Sequence, residues 1–266
     1  MIDVVKQRVE SGKTNAEKVN ILRETLQIFC LKIMYDKNMF DFTAFVGGTA
    51  LRILYNIRRY SEDLDFSLIN NANINIESIK DNLVDGYRSY GLRIDKKIKS
   101  VGAVKSIYLK FPGLLYDCAL SPLKDQNIMI KWDIDTDPPS GAENAKKIID
   151  DMFMFSIVHY DLPSLFAGKL HACFFRSYLK GRDWYDLIWY LNKRVKPNVA
   201  FLNNAIMQTE GRASDITDDN FKEFLVEKVT SMDLSKAADD VKVFLENPKE
   251  AELITKQNIV SLIEDM

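Results

Sequence analysis

The stretch Phe45-Val46-Gly47-Gly48-Thr49-Ala50-Leu51, followed after residues 52–58 by Arg59-Tyr60-Ser61-Glu62-Asp63-Leu64-Asp65-Phe66, decides how the chain is read. A short β-rich run over residues 42–46 ends in the glycine pair. Thr49 then offers a side-chain N-cap for a short helix, TALRILYNI, in which Leu51, Leu54 and Tyr55 share one face. Glycines let backbone N–H groups approach a ligand closely, and a helix N-terminus adds partial positive charge suited to phosphate. Residues 64–69 read as a strand, and on a strand Asp63 and Asp65 point to one side about 7 Å apart, while Leu64, Phe66 and Leu68 enter the core. Two readings of this pair stand side by side. On a solvent face it is ordinary polar-out alternation. In a cleft, two close carboxylates raise each other's ionisation cost, which a divalent cation relieves. With the glycine turn beside it, the pair suits a triphosphate held next to metal-binding acids. The turn is not a P-loop, because G-x-x-x-x-G-K-[ST] is absent, and no G-x-G-x-x-G follows a strand.

Working outward, Val19, Leu22, Leu26, Phe29, Ile33 and Met34 predict an amphipathic helix over 15–37, and a second helix covers 76–90. Alternating runs at 92–98, 105–111, 127–135 and 152–160 predict strands. From there the pattern is helical over 162–178, 183–194, 198–209, 219–231, 234–246 and 249–265. The expected fold is α+β: an N-terminal mixed sheet with flanking helices over residues 1–160, followed by a C-terminal α-helical part over 161–266.

A chain of 266 residues with 47% hydrophobic and 28% charged residues is long enough for one large domain or two modest ones. Apolar runs such as 152–158 fall far short of the ~18 residues a membrane span needs, and MIDVVKQRVESGK lacks the apolar core of a signal peptide. A cytoplasmic protein with no membrane partner is expected. Cys30, Cys118 and Cys173 are scattered in apolar sequence and read as reduced core residues. With only His159 and His171, structural zinc and a His-based triad have little to draw on. Net charge is −2, but residues 93–110 carry six Lys/Arg against one Asp and residues 169–196 seven against two. These runs are either solvated faces or a basic groove for a polyanion.

Two further regions carry candidate chemistry. The run Ile128-Met129-Ile130-Lys131-Trp132-Asp133-Ile134-Asp135 offers a third acid in Asp133 or Asp135, unless it is an edge strand with a charged outer face. Lys169, Ala172 and Arg176 recur at helical spacing, and Asp183 and Asp186 sit three apart on the next helix. Lys169 is then a phosphate ligand organised by the acids. The competing reading, which spacing alone favours, has Asp183 stabilising the helix dipole and Asp186 in a surface ion pair with Arg182.

Taken in order, Gly47-Gly48-Thr49-Ala50-Leu51, Arg59-x-Ser61-x-Asp63-Leu64-Asp65-Phe66, Lys169-Leu170-x-Ala172 and Arg182-Asp183-x-Tyr185-Asp186-Leu187 resemble the motif series of the AbiEii/AbiGii-type nucleotidyltransferase toxins, within the polymerase-β-like superfamily. Asp240-Val241-x-x-Phe244-Leu245 is also similar. The resemblance implies that Gly47, Gly48 and Thr49 form the phosphate-binding turn and that Asp63 and Asp65 are metal ligands. It makes Lys169 the nucleotide-contacting lysine, gives the late acidic motif to Asp183 or Asp186, and favours Asp133 over Asp135 as third carboxylate. It further implies an NTP substrate with Mg²⁺, an acceptor such as an RNA or tRNA 3′ end, and a cognate antitoxin or phage-defence setting. A transferase acting on a small molecule of antibiotic type, and a non-catalytic nucleotide-binding module, are the rival functions.

Overall fold

The computed structural model describes residues 1–70 and 72–266. In chain order the elements are α1 (Ile2–Glu10), α2 (Asn15–Asp36), a 3₁₀ turn (Met39–Asp41), β1 (Thr43–Val46), α3 (Gly47–Tyr55), β2 (Leu64–Leu68), α4 (Ile76–Ser89), β3 (Asp95–Val101), β4 (Val104–Pro112), α5 (Leu114–Asp117), β5 (Asn127–Asp135), β6 (Asn144–Asp150) and β7 (Met154–Tyr160). The remainder is α6 (Leu162–Phe175), α7 (Gly181–Asn192), α8 (Val199–Glu210), α9 (Phe221–Ser231), α10 (Ala237–Lys242), a second 3₁₀ segment (Pro248–Leu253) and α11 (Lys256–Glu264). The strands form one seven-stranded mixed sheet in the order β3-β4-β5-β2-β1-β7-β6, so the class is α+β. None of the helices is long and apolar enough to cross a membrane among the described residues.

The chain divides into two compact units. The first comprises Met1–Ala50, Ser61–Asp137 and Lys146–His159; the second comprises Leu51–Tyr60, Pro138–Ala145 and Tyr160–Met266.

In the first unit, the strand period of two separates an apolar sheet face from a polar one. Leu64 pairs with Trp132 and Phe66 with Ile134, while Ile107 pairs with Trp132 and Leu109 with Ile130. All seven side chains are buried. Phe45, Phe66 and Trp132 stack in turn across β1, β2 and β5, with ring centroids 5.3 Å apart at each step. Helices α2 and α4 pack on this face. The Trp132 indole N–H points at the Met34 sulfur at 3.4 Å, and the Tyr87 hydroxyl donates to the Leu26 carbonyl at 2.7 Å. Burying one such side chain as Phe66 stabilises the fold by about 1.5–3 kcal/mol relative to leaving it in water. The opposite face carries Asp65, Asp133 and Asp135, as alternation requires.

In the second unit, α6 opens on Asp161, whose carboxylate accepts the Ser164 N–H at 2.8 Å, and its core contact is Phe166 stacked on Tyr190 of α7 at 4.4 Å. The Asp240 motif has a structural role here. Asp240 Oδ2 accepts the Gly181 N–H at 2.6 Å at the start of α7, Val241 is buried, and the Phe244 carbonyl accepts the Tyr60 N–H at 2.8 Å. A Cβ on Gly181 would collide with the Ala237 carbonyl, so the α7–α10 approach requires glycine.

Several local expectations change. Thr49 does not cap a helix: α3 already starts at Gly47, and the Thr49 side chain is fully buried inside it. The single helix over 249–265 is a 3₁₀ segment and α11, interrupted where the Thr255 hydroxyl accepts the Asn258 N–H at 3.1 Å and caps a new helix. The helix over 234–246 shrinks to α10, because Leu245 leaves the helix to bridge Arg59. Strand β6, at the sheet edge, was not anticipated; Ile149 is its one fully buried residue, so its hydrophobic alternation is weak. Cys30 and Cys173 are core residues as expected, and burial pushes the Cys30 thiol up to about 12, whereas Cys118 is only half-buried.

Candidate functional site

The first cluster lies on the polar face of the sheet in the first unit. Strand β2 runs antiparallel to β1 and parallel to β5, and the register sets Asp65 opposite Val46 on one side and Asp133 on the other. The chain leaves β1 at Val46 directly into Gly47, whose φ is +77°. A Cβ there would lie 2.5 Å from Asp65 Oδ2, so the turn can sit against this carboxylate only because residue 47 has no side chain. Gly47→Ala is therefore expected to destabilise the protein by about 1–3 kcal/mol through backbone strain, and to displace Asp65 as well. Thermal melting beside a nucleotide-binding titration checks this; unchanged behaviour in both would remove the requirement for glycine.

The segment before β2 is clamped from two sides. From α3, the buried Thr49 hydroxyl bonds the Asp63 carbonyl and lies 2.8 Å from Ser61 Oγ. From α2, the Gln27 amide donates to the Ser61 and Glu62 carbonyls at 3.0 and 2.9 Å. Gln27 is 1% exposed within an otherwise apolar stretch, and that lone polar residue was the signal available in the sequence.

Asp133 has one oxygen committed and one not. Its Oδ2 is 2.5 Å from Lys131 Nζ, while Oδ1 is buried with no hydrogen-bond partner. Burial works against the Lys131 charge, but Asp133 and then Asp63 outweigh it and raise the ammonium pKa. Asp135 faces the same side one step further on, opposite Ser67, and its Oδ1 accepts the Asp137 N–H at 3.0 Å in the turn that ends β5. Register thus brings Asp133, rather than Asp135, beside Asp65. Among the described residues no group of three or more His, Cys, Asp or Glu side chains is gathered closely enough to hold a metal ion. The donor chemistry nonetheless suits a hard cation: carboxylates from adjacent strands, one with an unpartnered buried oxygen.

The second cluster lies within the second unit. Arg59 forks onto Asp186, Nε to Oδ1 at 2.5 Å and Nη2 to Oδ2 at 2.6 Å, with both side chains buried. Lys169 Nζ reaches Asp183 Oδ1 at 2.7 Å and Asp186 Oδ2 at 2.8 Å, and Arg176 holds Asp183 Oδ2 at 2.7 Å. The i, i+3 spacing puts both acids on the face of α7 that meets α6. Burial disfavours the Lys169 ammonium, yet Asp183 and Asp186 outweigh it and hold its pKa above the ordinary lysine value. Asp183 is likewise disfavoured by burial, but Lys169, Arg176 and Arg59 bring its carboxyl below the usual range. Three cations thus surround two carboxylates, an excess of positive charge in a largely buried setting. The surface-pair reading of Asp186 does not hold, because Asp186 is fully buried and Arg182 instead lies over the Phe244 ring at 4.0 Å. Arg59 and Arg176 had been given no role from sequence; exposure is the default expectation for arginine, and only the partner carboxylates reveal otherwise.

A search of curated proteins finds no significant match. Among solved structures the chain is similar to JHP933 from Helicobacter pylori, with 18% identity, a TM-score of 0.56, and coverage of 92% of this chain and 90% of that one; the two share a fold. It also matches a chain described as a "putative nucleotidyltransferase from H. pylori", at 20% identity and a TM-score of 0.48, covering 91% of this chain and 95% of that one. The family model "Nucleotidyl transferase AbiEii toxin, Type IV TA system" matches residues 31–256, a span that contains the glycine turn, the sheet carboxylates and the Arg59–Lys169–Asp186 cluster. The chain is a nucleotidyltransferase that belongs to the AbiEii toxin family of type IV toxin–antitoxin systems.

Proposed function

We propose that this nucleotidyltransferase moves a nucleotide from an NTP, with Mg²⁺, onto the terminal hydroxyl of an RNA, a tRNA 3′ end being the leading acceptor. The observation that carries the reading is the register that sets Asp65 beside Asp133, with Gly47 packed against Asp65. Gly47, Gly48 and Thr49 open α3, where the first N–H groups of a helix have no partner within it and can receive phosphate oxygens. The Thr49 side chain contributes by holding Asp63 in place, since its hydroxyl is already bonded to that residue's carbonyl. Asp63, Asp65 and Asp133 would hold the metal, which when bound supplies charge neutralisation at the triphosphate and acidifies the acceptor hydroxyl. In this reading Asp133 also helps to ionise the acceptor hydroxyl, whose proton leaves as the oxygen attacks. The acceptor oxygen then bonds the α-phosphorus, the bond to the bridging oxygen breaks, and pyrophosphate leaves. Asp183 and Asp186 are positioning residues in this reading: their oxygens already bind Arg59, Lys169 and Arg176, so the surplus positive charge, centred on Lys169, is what meets phosphate.

Lys169→Ala is accordingly expected to weaken NTP binding by about 1.5–3 kcal/mol through loss of a charge-assisted contact. It should also destabilise the protein by roughly 1–3 kcal/mol, because two buried carboxylates lose a partner while each keeps an arginine. That cost follows from burial, since the Lys169 side chain is only 11% exposed. Calorimetric NTP titration separates the two effects, and an unaltered affinity would return Lys169 to a purely structural role. The function itself is tested by incubating the protein with each labelled NTP and total RNA, with Mg²⁺ and with chelator. Label joined to RNA ends only with the metal present supports the reading; label on a small molecule, or none on any acceptor, overturns it.

A further inference from the structure

The basic run over residues 93–110 falls on β3 and β4, and the sheet register sorts its lysines onto two faces. Lys99 pairs with Ser106, Ser106 with Asp133, and Asp133 with Asp65, so these residues form one row across four adjacent strands. Cross-strand partners point to the same face of a sheet, so Lys99 lies on the face that carries the carboxylates. The neighbouring row runs Lys97, Tyr108, Lys131, also on that face. Lys96 pairs with Leu109 and Lys105 with Ser100, and these belong to the face covered by α2 and α4. Lys97 and Lys99 are exposed on β3, the edge strand of the sheet. At about 4.8 Å per strand, Lys99 lies some 14 Å from Asp65 along its row, a distance an extended RNA backbone covers in a few nucleotides.

We infer that Lys97 and Lys99 form a phosphate-binding track for the single-stranded 3′ segment of the acceptor RNA, leading from the β3 edge along the polar face towards Asp133 and Asp65. The inference rests on the RNA-acceptor reading above and specifies where that RNA lies. Charge complementarity favours a polyanion: the track is cationic at its outer end and reaches carboxylates, where chemistry rather than backbone binding takes place, at its inner end. A protein partner with an acidic surface is the competing occupant.

The test uses the full chain and a labelled single-stranded RNA oligonucleotide, with anisotropy titrations over a series of salt concentrations. Each phosphate contact contributes about 0.7 to the slope of log affinity against log salt for single strands. The Lys97→Ala/Lys99→Ala double variant is expected to lower that slope by about 1.4, from two contacts at about 0.7 each, and Arg at both positions should restore it. Lys96→Ala/Lys105→Ala, on the other face, should leave the slope unchanged, and calorimetric NTP affinity should be unaltered in all variants. Equal losses from both pairs, or an unchanged slope in the first, would overturn the track. RNA binding with the expected slope but no nucleotide transfer would support the track while the transferase reading failed. Wild type that binds NTP and modifies another acceptor, with no measurable RNA binding, would remove the RNA reading and the track together.

Discussion

Asp65→Asn is expected to lower nucleotide transfer by roughly 10³-fold or more, since charge stabilisation worth several kcal/mol at the phosphates depends on an intact carboxylate set. The fold should survive. Asp65 lies in register with Asp133 and close to Asp63, so neutralising it relieves like-charge repulsion, and the melting temperature without metal should hold or rise. Initial rates and thermal melts on the same preparation provide the check, and near-normal turnover would remove Asp65 from the chemistry. Expression of the intact protein in a bacterial host is expected to arrest growth, and the variant at matched levels should not. Equal arrest by both proteins would mean that toxicity does not act through this cluster.

Asp186→Ala should instead be a folding defect, of about 3–5 kcal/mol, because it strands the Arg59 guanidinium and one contact of Lys169 in a buried setting. Replacing both members together, Arg59→Met with Asp186→Leu, should recover much of that loss, since removing a buried pair entirely is far less costly than orphaning one charge. Urea melts of the two single variants and the double variant decide it; strictly additive losses would show that the pair is not coupled. The same cluster sets a pH dependence. The Asp183 carboxyl is held below its ordinary value, so its contribution to stability is complete above about pH 4 and is lost as pH falls through the depressed folded value. Lys169 acts in the opposite direction: its pKa is raised, so its contribution is present below the unfolded value near 10.4 and disappears only as pH rises beyond it. Asp183 and Lys169 therefore both carry their charges across the neutral range, and Asp183→Asn should remove part of the stability lost below pH 4 in wild type.

Much of the molecule could be read before its structure, where a local period or a backbone need left a mark. The alternation in IMIKWDID predicted β5 over its full length, and the apolar spacing over 15–37 predicted α2 to within a residue. The glycine pair marked a turn in the sequence, and the structure shows that Gly47, with φ +77° against Asp65, sits where only glycine fits. The ends of the long helical pattern were less legible: whether 249–265 is one helix or two depends on a cap at Thr255 that competes with helix continuation at little cost in local energy.

Spacing along the chain predicted that Asp63 and Asp65 share a face, that Asp133 and Asp135 both face one side of their strand, and that Asp183 and Asp186 share a helical face. It left open which of them meet, because that depends on contacts between segments far apart in sequence. The parallel register of β2 on β5 selects Asp133 as the neighbour of Asp65, and a slip of two residues would have selected Asp135 instead. Likewise the folding of Arg59 onto Asp186, 127 positions later, converts what spacing read as a solvated helix face into a buried charge network. Periodicity determines the direction in which a side chain points; the partner it finds there is decided by which distant strand or helix must bury its own apolar side against the same core.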